Sequence, residues 1–140
     1  MKKNLRLLIV DDDADDRMFF IDAVQEIDET IQCVVAKDGL HALELLTDPA
    51  VELPDIIFLD LRMPRFNGKR CLVEIKASDR LKNIPVFIYT TSTDVKESTE
   101  LKNLGATHFI SKPHSPEDVY YIISVVLEEQ AAALNKDGGE

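Results

Sequence analysis

Leu7-Leu8-Ile9-Val10-Asp11-Asp12-Asp13 and Ile56-Ile57-Phe58-Leu59-Asp60 share one plan: four apolar residues in a row, then carboxylate. Each run is too short for a helix and too continuous for a strand with one wet face, so both read as strands covered on two sides. Ile31–Ala36, Val86–Tyr89 and Thr107–Ile110 are equally short and rich in β-branched or aromatic residues; with Leu5–Val10 and Ile56–Leu59 they make five strands. Between them the apolar spacing turns helical, as in Phe20, Val24, Ile27 and in Ala42, Leu45, Leu46. Val119, Ile122, Ile123, Val126 and Leu127 form one apolar face of a last helix, whose start is marked by Ser115 as cap, Pro116 in the first turn and Asp118. Strands alternating with helices imply parallel neighbours, because each helix supplies the crossover. The expected fold class is α/β, a doubly wound five-stranded parallel sheet.

The 140 residues suit one domain, and 45% apolar content with five Gly and six Pro excludes disordered and fibrous classes. Sixteen Lys plus Arg against twenty-six Asp plus Glu give a net charge of -10, a field that repels a phosphate backbone, so no nucleic-acid partner is expected. Cys33 and Cys71 lie far apart with no CxxC spacing, which fits a thiol-reducing cytoplasm. The run Leu7–Val10 meets aspartates after four residues, so neither a secretion signal nor a membrane span is expected. The domain is expected over residues 1–127. Residues 128–140 are expected to extend the last helix through Ala131-Ala132-Ala133-Leu134 and then fray as a disordered acidic tail, with no output domain.

In such a sheet ligands bind beyond the carboxyl ends of the strands. The strand-ending residues are Asp11-Asp12-Asp13, Asp60, Thr90-Thr91-Ser92 and Lys112. Carboxylates gathered at one partly dehydrated edge repel by on the order of several kcal/mol, more than one lysine neutralises. A hard divalent cation relieves that repulsion, and oxygen-only donors with room for water select Mg²⁺. Cation, carboxylate, Thr hydroxyl and ammonium together suit phosphoryl transfer, with an Asp nucleophile forming an acyl phosphate.

The acidic pair Asp11-Asp12, the run Asp60-Leu61-Arg62-Met63-Pro64-Arg65-Phe66-Asn67-Gly68, Thr90 closing the fourth strand and Lys112-Pro113 closing the fifth stand in one order and spacing. In that combination the chain resembles the receiver domains of two-component response regulators, from about Leu5 to about Leu127. The resemblance implies the flavodoxin-like (βα)5 receiver fold. It implies a phosphoryl group accepted on Asp60 from a sensor histidine kinase or a histidine phosphotransfer protein, with Mg²⁺ as cofactor. It makes Asp12 a direct metal ligand and Asp11 one acting through water, with Asp60 and the Arg62 backbone carbonyl completing the protein ligands. Thr90 would bond the phosphoryl oxygen, Lys112 would pair with it, and Thr90 with Phe109 would form the switch. The peptide before Pro113 is expected cis. The implied enzymology is self-phosphorylation and slow dephosphorylation, not turnover of an external substrate.

Two departures bear on mechanism. Phe109 lacks the hydroxyl of the family's common tyrosine, and Thr90-Thr91-Ser92 resembles stand-alone receivers serving phytochrome-type kinases. With no output domain expected, the output surface is assigned to the fourth helix, fifth strand and fifth helix, docking a partner or forming a homodimer, with Val95, Tyr120 and Tyr121 as anchors. Two other functions compete. An aspartyl-nucleophile phosphatase wants an acid two residues after Asp60, where Arg62 stands; a phosphorylation-independent adaptor with a relic site conflicts with an intact acidic pair, Thr90 and Lys112. No Gly-rich loop follows a strand, against a nucleotide binder. Asp13, Asp15 and Asp16 read as a solvated, helix-capping turn, and Gly68 as a backbone-conformation residue. His41, His108 and His114 read as surface or packing residues, Cys33 and Cys71 as small hydrophobes, and a plain core aromatic competes with the switching role for Phe109.

Overall fold

β1 (Arg6–Val10), β2 (Gln32–Ala36), β3 (Ile56–Leu59), β4 (Val86–Thr90) and β5 (His108–Ser111) form one sheet in a computed structural model of the chain, which describes residues 4–63 and 67–138. Pro64-Arg65-Phe66 of the motif after Asp60 lies outside the described residues, as do residues 1–3 and 139–140. Every pairing is parallel and the strand order is β2-β1-β3-β4-β5. The crossovers are α1 (Ala14–Ile27), α2 (Gly39–Thr47), α3 (Gly68–Ala77) and α4 (Val95–Asn103), and α5 (Pro116–Gly138) follows the last strand. This is the expected doubly wound α/β fold.

The continuous apolar runs are explained by two cores, one on each face. Leu7, Ile9, Ile56, Phe58, Phe87 and Tyr89 point to the side where Phe20, Ala23 and Val24 of α1 meet Val119, Ile123 and Val126 of α5. Leu8, Val10, Ile57, Leu59, Val86 and Ile88 point to the other, against Ala42 and Leu46 of α2, Cys71, Leu72 and Ile75 of α3, and Leu101 of α4. Successive side chains alternate sides, and both sides are dry. Phe20 packs edge-on to Phe58 with ring centroids 4.7 Å apart, joining α1 to the middle of the sheet. Each fully buried Leu, Ile or Phe contributes about 1.5–3 kcal/mol relative to exposure, so these layers hold the strand ends in fixed relation.

Helix starts follow their caps. Asp13 accepts from the Asp15 and Asp16 amides at the head of α1, and Asn67 accepts from Arg70 at the head of α3. Ser115 receives the Asp118 amide at 3.3 Å, as its place before Pro116 suggests. α5 runs on to Gly138, so residues 135–138, expected to fray, are helical; the good helix-forming run Ala131-Ala132-Ala133-Leu134 carries the last turns past the sheet. Among the described residues no helix is long and apolar enough to cross a membrane.

Gly68 departs from its sequence reading. Its φ is not positive; what it lacks is room, because a Cβ there would overlap the Asp60 carbonyl oxygen and come within 2.8 Å of Leu61 Cα. The start of α3 therefore presses against the backbone of the residue that ends β3. Gly68→Ala is expected to cost about 1–3 kcal/mol of stability, the usual penalty of overpacking, read as a lowered urea midpoint at unchanged slope; a wild-type midpoint would show that this contact yields freely.

Candidate functional site

The strand order reverses between β1 and β3, and the crevice at the carboxyl ends of such a pair is where doubly wound sheets bind ligands. The parallel ladders run one residue past the strands there. Asp11 N donates to Ala36 O at 3.1 Å, Asp60 N to Val10 O at 2.9 Å and Lys112 N to Thr90 O at 2.7 Å. Backbone bonding thus places Asp11, Asp60 and Lys112 before any side chain acts.

Asp11, Asp12 and Asp60 each present a carboxylate oxygen, all within 4.8 Å of one another, with Asp11 and Asp60 buried and Asp12 exposed. The Lys112 ammonium stands 2.8 Å from Asp11 Oδ2, 2.8 Å from Asp16 Oδ2 and 3.5 Å from Asp60 Oδ2. It also lies 5.9 Å from the Tyr89 ring centroid, over a face that favours a cation. Arg17 Nη1 donates to the Asp11 carbonyl at 2.8 Å and the Asp13 amide to Asp11 Oδ1 at 3.0 Å, holding the turn after β1. Thr90 is fully buried, its hydroxyl oxygen accepting from the Ser92 amide at 3.4 Å. Phe109 is half-buried against the α2–α3–α4 layer.

Electrostatics of this edge follow from burial. Loss of water pushes the Asp11 carboxyl up to about 6, with hydrogen bonds from Lys112 and the Asp13 amide pulling it part of the way back. Burial alone would lower the Lys112 ammonium, but hydrogen bonds to Asp11 and Asp16 outweigh it and hold the group above its ordinary range. The two shifts oppose each other for the shared pair, yet at neutral pH both leave it ionic. Four carboxylates against one ammonium leave the edge short of positive charge. Hard oxygen donors in excess of their counter-ion are the donor set that suits Mg²⁺, so the residues present fit that cation.

Asp16, which the sequence places in a solvated turn, belongs to the site instead, 2.8 Å from the Lys112 ammonium. Asp13 caps α1, and helical phase then turns Asp16 toward the end of β5 while Asp15 faces solvent. The peptide between Lys112 and Pro113, expected cis, is trans, since no peptide among the described residues is cis. Trans is favoured before proline by about 0.5–1 kcal/mol, and in that form the Lys112 ammonium lies against Asp11, Asp16 and Asp60. Arg62 turns outward, its guanidinium 3.2 Å from Glu97 of α4. His41 accepts the Lys37 amide and His108 packs 5.5 Å from Phe87, the packing roles expected of them.

The chain belongs to the response regulator receiver domain family, whose match covers residues 7–124. It is 30% identical over 125 residues to the probable methanogenesis regulatory protein FilR2 of Methanothrix harundinacea, covering 87% of this chain and 81% of that protein. It is 30% identical over 125 residues to the response regulator Rcp1 of Synechocystis sp., covering 84% and 82%. The Mn²⁺-bound structure of Rcp1 superposes with a TM-score of 0.76 at 26% identity, covering 87% of this chain and 91% of that one. The phosphorylated cyanobacterial phytochrome response regulator RcpA has the same fold, with a TM-score of 0.87 at 24% identity, covering 94% and 96%. Other curated relatives are longer; of the sensor histidine kinase CheAY of Helicobacter pylori the chain spans 14%.

A divalent cation held beside Asp11 would compete with its proton, so Mg²⁺ affinity is expected to fall as pH drops below about 6, by about tenfold per pH unit while one proton competes. Titration calorimetry from pH 5 to 8 measures this, and Asp11→Asn should remove the step. Affinity that stays flat through that window would contradict the shifted Asp11.

Proposed function

We propose that the chain accepts a phosphoryl group on Asp60 from the phosphohistidine of a sensor histidine kinase or histidine phosphotransfer protein, and signals through a protein contact made by the receiver itself. The observation that carries this is the buried Asp60 carboxylate standing 3.5 Å from a buried ammonium and beside two further carboxylates. Rcp1, 26% identical to this chain in its solved structure, holds Mn²⁺ there. The resemblance of the Thr90-Thr91-Ser92 triplet to receivers that serve phytochrome-type kinases favours such a kinase as the donor.

In the transfer an Asp60 carboxylate oxygen bonds phosphorus as the P–N bond of the phosphohistidine breaks, and the imidazole leaves with the electron pair and takes up a proton. Asp12, Asp60, the Arg62 carbonyl and, through water, Asp11 would hold Mg²⁺. Bound there, the cation neutralises charge on the transferring group. Lys112 pairs with a phosphoryl oxygen, and the Thr90 hydroxyl donates to another. Little else is asked of the protein, because this chemistry is mainly positioning and charge compensation.

Drawing the Thr90 hydroxyl inward vacates space that Phe109 enters, changing the surface of α4, β5 and α5. Val95 and Tyr121 are 77% and 66% exposed on that surface, with Tyr120 beside them. A population shift of a few kcal/mol is enough to make it a docking face for a partner or for a second copy. The free thiols Cys33 and Cys71 fit a cytoplasmic location, and the net charge of -10 fits the absence of nucleic-acid partners.

Incubation with Mg²⁺ and acetyl phosphate, followed by intact mass, is expected to show one added phosphoryl group on the wild type and none on Asp60→Asn. Full labelling of Asp60→Asn would refute the assignment. Arg62 and Ser92, two places after Asp60 and Thr90, flank the path of attacking water, and neither offers a carboxylate or amide to orient it. The phosphoprotein is therefore expected to persist for minutes to hours; loss within seconds at neutral pH would contradict this.

A further inference from the structure

One carboxylate on α4 serves both of those flanking residues. Glu97 Oε1 accepts from Ser92 Oγ at 2.7 Å and from Arg62 Nη2 at 3.2 Å. Ser92 is in turn fixed from other sides: its Oγ accepts the Asp94 amide at 3.2 Å, its carbonyl accepts Ser111 Oγ at 3.2 Å, and its amide reaches the Thr90 hydroxyl. Farther along α4, Glu100 pairs with Lys69 of α3. The Glu97 side chain is 25% exposed and that of Arg62 is 60% exposed, so the carboxylate is the anchored partner and the guanidinium the one free to change sides.

We infer that Glu97 is a positioning residue for the acceptor site, holding Arg62 and Ser92 on α4 while Asp60 is a bare carboxylate and competing with the phosphoryl group for Arg62 once Asp60 is modified. The inference rests on Asp60 being the acceptor. The Arg62 amide already lies 3.4 Å from Asp60 Oδ1, so its side chain departs from the edge of the site. An aspartyl phosphate would present more negative charge than one carboxylate, and guanidinium matches phosphate oxygens in a two-point geometry. When Arg62 moves, the first turn of α4 loses its tie to the β3–α3 turn, which links the chemistry directly to the position of α4. An ion pair this exposed has a modest effect, so the competition is expected to change rates by about two- to fivefold.

Wild type, Glu97→Gln, Glu97→Asp, Arg62→Ala and the Glu97→Gln/Arg62→Ala double variant are labelled with acetyl phosphate and Mg²⁺, the donor is removed, and phosphoryl loss is followed by intact mass. Glu97→Gln should lose its phosphoryl group about two- to fivefold more slowly than wild type, because the guanidinium then serves the phosphoryl group alone. Glu97→Asp, which keeps the charge, should return toward the wild-type rate. In the Arg62→Ala background Glu97→Gln should change nothing, an outcome that general loosening of α4 would not produce. An unchanged rate in Glu97→Gln, or an equal effect with and without Arg62, overturns the inference while leaving Asp60 as acceptor. A wild type that takes no label overturns the acceptor assignment and, with it, the inference.

Discussion

The Lys112 ammonium, on a side chain only 8% exposed, is shared by Asp11 and Asp16 at 2.8 Å and by Asp60 at 3.5 Å. Those carboxylates come from the end of β1, the first turn of α1 and the end of β3, so one cation fastens three elements at the edge where β5 stops. Removing one partner of such a buried cluster typically costs about 3–5 kcal/mol, because the remaining charges are left dehydrated and unpaired. The apolar layers above and below the sheet hold the strands in register, and this cluster settles what stands on their ends.

The same cluster is incomplete as an electrostatic solution. One ammonium cannot balance the carboxylates that surround it, and burial already resists the ionised form of Asp11. The surplus negative charge explains why the site fits a hard divalent cation and why a further anionic group would have to arrive with one. Arg62 and Glu97 pair just outside this balance, where, on the proposed reading, a charge added at Asp60 would compete for the guanidinium. A receiver needs a stable site and a movable surface; the buried Lys112 cluster fits the first, and the proposed exchange at the Arg62–Glu97 pair would serve the second.

Much of this was legible in the sequence because strand ends carry the chemistry in doubly wound sheets. Val10-Asp11 and Leu59-Asp60 each show the step from apolar to acidic that marks such an end, and the spacing to Thr90 and Lys112 completes the set. Asp16 was hidden because Asp15 and Asp16 look alike in sequence. Only the cap at Asp13 sets the helical phase, and the partner, Lys112, is 96 residues away. Glu97 was hidden for the same reason, its partner Arg62 lying 35 residues back across two elements. Gly68 was visible as a glycine but not as a close approach, since its φ is ordinary and only the Asp60 carbonyl shows why a side chain does not fit.

Borohydride reduction of the phosphorylated protein, followed by peptide mass mapping, tests the central claim most directly, because it converts the aspartate that carried an acyl phosphate to homoserine. The account predicts homoserine at position 60, formed with Mg²⁺ and acetyl phosphate and lost when a chelator is added. Homoserine at another acidic residue, or equal yield at position 60 with the chelator present, would contradict it.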